Sequence, residues 1–198
     1  MHTFATARVW MIALVTLAAL HAGVSSSYAQ CLPLNNQSVT LTPQATVNGG
    51  VAFYPPNTTV TMCLDVTQYN GCGANWLDGI APIFGPGWDT STLAPSGTVA
   101  TAGLSAGTWI WTSGFTSTNT NMVLANPGWY FDLNNDGNPG NDFGDGGSNQ
   151  GPWTFCWSIA TKSIPPGIPG SSLSFQIENY SDAEAGSWGN LCCSGGVD

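Results

Sequence analysis

The chain is 198 residues long and carries 11 Asp and Glu against 2 Lys and Arg, for a formal net charge of −9. Both histidines, His2 and His21, and the only arginine, Arg8, precede residue 30, which leaves Lys162 as the sole cation of residues 30–198. That balance argues against nucleic-acid binding, whose affinity comes largely from phosphate neutralisation, and against serine or cysteine nucleophiles, which need a base.

Residues 1–29 have the layout of a signal peptide: Arg8, the apolar run Val9–Leu20, then Ser27-Tyr28-Ala29 as a small-residue cleavage site. The run is shorter than the ~20 residues needed to span a bilayer. Gln30 stands before Cys31 where a lipobox needs a small residue. The expected product is a single domain over residues 30–198, secreted or at the cell surface, with no transmembrane segment.

Composition rich in Gly, Thr, Ser, Asn, Pro and Trp, and poor in exposed-helix formers, disfavours helix. Period-two and β-branched segments place strands at Ser38–Thr42, Val47–Phe53, Thr58–Val66, Gly107–Thr112, Met122–Leu124, Trp129–Asp132, Trp153–Ala160 and Ser172–Asn179. Short strands punctuated by Gly, Pro and Asn turns predict an all-β fold, an antiparallel β-sandwich with long loops.

All six cysteines (Cys31, Cys63, Cys72, Cys156, Cys192 and Cys193) follow the leader, an even number that in an exported chain favours disulfides over metal thiolates. Cys63 and Cys156 are expected to pair within the core, since each alternates with the large apolar residues of its own strand. That placement requires a strand covered on both faces, or a bridge to an overlying loop. Cys192 and Cys193 would then reach Cys31 and Cys72, because a bond between neighbours is strained.

Residues 132–145 form an acidic loop. Asp132, Asn134 and Asp136, followed by Gly137, have the spacing that lets successive oxygens converge on one cation. Calcium, which takes six to eight oxygens, is the expected ion and its role structural. Asn138 follows in the same register. An EF-hand would place a bidentate Glu twelfth, but Phe143 stands there, so the site must close with Asp142, Asp145 or a backbone carbonyl. The competing reading is a solvated turn built from Asp, Asn, Gly and Pro. Repulsion among four carboxylates in a chain with so few cations favours the metal.

Of the eight tryptophans after residue 29, Trp109 with Trp111 and Trp153 with Trp157 have same-face strand spacing and should build the core. Trp76, Trp88 and Trp188 lie in loop-like contexts and are the candidates for an exposed ligand-binding surface, as in a carbohydrate-binding module. Asp182 and Glu184 are the nearest approach to a paired-carboxylate glycosidase centre.

Several stretches resemble extracellular domains of surface proteins from gliding, Bacteroidetes-type bacteria. They are Val60-Thr61-Met62-Cys63, the longer run Asn75–Asp89 (N-W-x-x-G-I-x-P-x-F-G-x-G-W-D), Asp136–Asn141, Trp153-Thr154-Phe155-Cys156 and Asp182–Trp188. The resemblance implies an exported, disulfide-containing β domain of cell-surface or secreted assemblies, and it supplies no catalytic residues. Taken together, these features predict a non-enzymatic adhesion, interaction or structural protein with an extracellular protein or glycan partner.

Overall fold

The computed structural model describes residues 37–48, 51–67, 77–100, 106–118, 121, 123–142, 151–165 and 168–181. The two segments with the strictest alternation form the middle of one sheet. In β4 (Thr59–Val66) the residues Val60, Met62, Leu64 and Val66 are buried, and in β11 (Trp153–Thr161) so are Trp153, Phe155, Trp157 and Ile159. The two strands pair antiparallel, with Trp153 opposite Val66 and Ala160 opposite Thr59. β1 (Gln37–Thr42) and β6 (Trp88–Pro95) flank them in the order β1-β4-β11-β6.

The second sheet contains β5 (Leu77–Phe84), β7 (Thr108–Thr112), β10 (Gly128–Asp132) and β12 (Phe175–Ser181), in the order β12-β5-β10-β7. Every pairing in both sheets is antiparallel. Two small hairpins complete the described structure, β2 (Thr46–Asn48) with β3 (Val51–Phe53), and β8 (Phe115–Thr116) with β9 (Val123–Leu124).

The inner faces of the sheets share one core, so the fold is the expected antiparallel β-sandwich. Trp109 on β7 reaches across to β11, its ring centroid 5.4 Å from Trp153 and 4.8 Å from Phe155, the latter edge to face. Trp129 on β10 donates its Nε1–H to the carbonyl of Cys156 at 3.0 Å, a polar tie between the sheets. Burial of each large apolar side chain here contributes on the order of 1.5–3 kcal/mol.

Cys63 and Cys156 form the expected disulfide, at a Cα–Cα distance of 4.1 Å. Its position differs from expectation: both cysteines sit half-buried on the outer face of the sheet, directly opposite each other in register. The Cys156 carbonyl points toward β6, where it accepts from Ser96 N at 3.0 Å. Toward β4 it therefore stands in a non-hydrogen-bonded pair, the close cross-strand position that a disulfide can bridge. Cys31, Cys72, Cys192 and Cys193 lie outside the described residues.

Strands β5, β6 and β8 escape a period-two reading. Residues Leu77 to Pro82 of β5 are all buried, so no alternation survives. Pro82 sits beside β12 but beyond the stretch paired with β10, which spares the ladder the N–H that proline lacks. Asp78, fully buried, lies where the β5–β12 register shifts, and no sequence pattern marks it as an interior acid. The expected strand Val47–Phe53 resolves into two, β2 and β3.

Candidate metal centre

The acidic loop begins where β10 leaves the second sheet. Asp132 is the last residue of that strand and is only 1% exposed. Beyond it, Asn135 (φ 60°) and Gly137 (φ 83°) take left-handed conformations that turn the chain back on itself. The turn is written in side-chain oxygens that accept from nearby backbone N–H groups. Asp132 Oδ1 accepts from Asp136 N (3.2 Å) and Asp132 Oδ2 from Gly137 N (2.8 Å). Asn134 Oδ1 accepts from Asp136 N (2.8 Å), Asp136 Oδ1 from Asn138 N (2.8 Å) and Asn138 Oδ1 from Gly140 N (3.2 Å).

A short 3-10 turn over Pro139–Asn141 then returns the chain, and Asp142 Oδ2 accepts from Leu133 N at 3.0 Å. Closure brings one carboxylate oxygen each from Asp132, Asp136 and Asp142 within 4.8 Å of one another. Calcium holds its oxygens at about 2.3–2.6 Å, so ligands on opposite sides of the ion lie roughly 5 Å apart. The three carboxylates fit that span. Asp142 thus stands where it could close a cation site, which Phe143, twelfth in the loop, cannot.

Burial differs around the cluster. Asp132 and Asp142 are buried while Asp136 lies on the exposed rim. Desolvation, then the hydrogen bond and charge of neighbouring Asp132, push the Asp142 carboxyl up to about 6, against the lowering effect of the Leu133 and Asn134 N–H groups. Donation from Asn141 Nδ2, Asn138 N and Asn134 Nδ2 holds Asp136 below the usual carboxylate range. Within the cluster, the raised Asp142 carboxyl is the group that a proton or a cation would relieve.

A carboxyl whose pKa is raised in the fold favours folding while protonated, and that contribution is lost as pH rises from the ordinary carboxylate range through about 6. Chelated protein should therefore melt lower at neutral pH than in mild acid, and Asp142→Asn should shrink that difference. Calcium should compete with the same proton, binding more weakly as pH falls below about 6. Melting curves across pH with EDTA and with calcium check both; a pH effect unchanged in Asp142→Asn would assign it elsewhere.

The loop is also fastened at its far end. The Gly140 carbonyl accepts from Thr118 N (2.9 Å) and Thr118 Oγ1 (3.2 Å). A Cβ on Gly140 would stand 2.6 Å from the Thr116 carbonyl, so only glycine permits this approach. Of the residues expected to ligate, the structure gathers Asp132, Asp136 and Asp142, while Asn134 and Asn138 direct their Oδ1 atoms to backbone N–H groups. Asp145 lies outside the described residues.

The candidate binding surface needs correction at Trp88, which is 2% exposed and offers no face to a ligand. Its ring opens β6 and packs against Tyr54 (6.2 Å) and Phe84 (5.8 Å). Trp109, Trp153 and Trp157 are buried in the core as expected, and the half-buried Trp111 packs edge to face on Trp129 at 5.6 Å. Trp76, Trp188, Asp182 and Glu184 lie outside the described residues.

Fold and site together define an antiparallel β-sandwich carrying a carboxylate cluster on one inter-strand loop. No family model, curated protein or solved structure matches the chain.

Proposed function

We propose that this protein is an exported, non-enzymatic interaction or structural domain whose loop 132–142 is ordered by calcium. The observation that carries the reading is the convergence of Asp132, Asp136 and Asp142 oxygens within 4.8 Å, two of the three residues being buried. Nothing else in the loop supplies positive charge: the lone lysine of residues 30–198, Lys162, lies on β11's exit. Export is supported by the signal-like residues 1–29, by the Cys63–Cys156 disulfide and by the resemblance to bacterial surface domains. Among the described residues, no helix is long and apolar enough to cross a membrane.

The carbohydrate-module alternative loses Trp88 from its stacking surface, and no observation favours a glycosidase. Elemental analysis of purified protein, followed by calorimetric titration of the chelated form, tests the proposal. One equivalent of calcium is expected. Absence of stoichiometric metal and no heat on adding calcium would overturn it.

A further inference from the structure

A cleft of about 230 Å³ opens where the two sheets end, away from the acidic loop. Its walls include Phe53, Tyr54, Thr161, Lys162, Ser172 and Leu173. They are held by hydrogen bonds that leave little to rearrange. Lys162 N donates to Gly87 O (2.8 Å), Gly87 N to Ser172 O (2.8 Å), Tyr54 OH to Pro43 O (2.9 Å) and Thr161 Oγ1 to Pro55 O (2.8 Å). Ligand sites are typically concave, preformed and apolar with a few placed polar groups.

The chemistry of the lining is selective. Lys162 is the only cation of residues 30–198, it is exposed, and it forms no ion pair among the described residues. Asp89 lies within its electrostatic reach, but that carboxylate is engaged by Ser91 N (3.1 Å) and Ser91 Oγ (2.6 Å). Among the described residues, no carboxylate lines the cleft. Phe53, Ile164 and Leu173 supply accessible apolar surface and the exposed Ser172 supplies a hydroxyl, while the buried Tyr54 and Thr161 form the floor. The volume falls below the roughly 300–1,000 Å³ of drug-sized sites, so the cleft suits a single ring.

We propose that this cleft binds one uronic acid unit of a glycan, its carboxylate on Lys162, its ring against Phe53 and Leu173, and its hydroxyls toward Ser172. The acidic remainder of the protein repels polyanions at a distance, which favours an isolated or terminal uronate on an otherwise neutral glycan. The site is separate from the acidic loop and does not require calcium.

The test is an NMR titration of the protein with methyl glucuronide and methyl glucoside, which differ at the carboxylate. Saturable shifts are expected at the amides of Phe53, Gly87, Lys162 and Ser172 with the glucuronide, undiminished by EDTA. The glucoside should bind roughly fivefold more weakly, the difference expected for one partly exposed charge pair. Lys162→Gln should abolish the preference and Lys162→Arg should keep it. Equal binding of the two glycosides, a preference surviving in Lys162→Gln, no saturable shifts at these amides, or tighter binding of acetyl-alanine as a peptide-terminus mimic would each overturn the proposal.

Discussion

Chelation of the protein with excess EDTA should lower its melting temperature by roughly 5–10 °C relative to protein held at a calcium concentration about a hundred times the Kd. At that concentration a ligand bound only to the folded state stabilises it by about 2.7 kcal/mol, and for a chain of this size each kcal/mol moves Tm by roughly 2–4 °C. The physical source is local. Asp132 and Asp142 place two buried carboxyls together, and Asp136 adds a third oxygen within 4.8 Å. An ion bound among them relieves repulsion that exists only in the folded loop. Asp136→Ala should remove the EDTA effect while leaving the chelated melting temperature nearly unchanged, because Asp136 is exposed and its bonds stay within the loop. Differential scanning calorimetry of the two proteins, with and without calcium, reads both quantities. Identical curves for the native protein in EDTA and in calcium would remove the metal from the loop.

Trp157→Ala should cost about 3–5 kcal/mol, the range for deleting a fully enclosed aromatic side chain. Trp157 is 0% exposed, lies in β11 opposite Met62 on one side and Pro95 on the other, and belongs to the shared core. Its neighbours are held in strands on both sides, so the gap has little chance to collapse. Domains are stable by only about 5–15 kcal/mol, so the variant should lose a large part of its margin. Urea unfolding followed by far-ultraviolet circular dichroism measures this. The comparison is Trp111→Ala, at the half-buried β7 edge, which should cost clearly less. Equal losses would show that enclosure at Trp157 does not set its contribution.

The legible parts of this fold are those where one strand face is apolar and the other polar. β4 and β11 announce themselves through Val60–Met62–Leu64–Val66 and Trp153–Phe155–Trp157–Ile159. β5 does not, because burial of consecutive residues erases alternation and Asp78 and Pro82 read as turn residues. β6 carries exposed Thr90, Ser91 and Thr92 in its middle and looks like a loop. The division between β2 and β3 had a signal in Asn48-Gly49, a pair that favours hairpin turns. In the acidic loop, spacing names Asp132 and Asp136 directly. Asp142 depends on the 3-10 turn over Pro139–Asn141, which brings the chain back to Leu133. The enclosure of Trp88 depends on Tyr54, a partner 34 positions earlier that no local pattern reveals.

The hydrogen bond from Lys162 N to Gly87 O has a consequence for resistance to proteolysis. Lys162–Ser163 is the one peptide bond after residue 30 that a trypsin-like protease recognises. It adjoins a backbone already clamped at the exit of β11, whereas nicking favours slack, untethered tips. Were it severed, β12 would stay zipped to β5 along Phe175–Ser181, so the pieces would remain joined without a continuous backbone. Digestive attack by enzymes of that specificity should leave the sandwich standing.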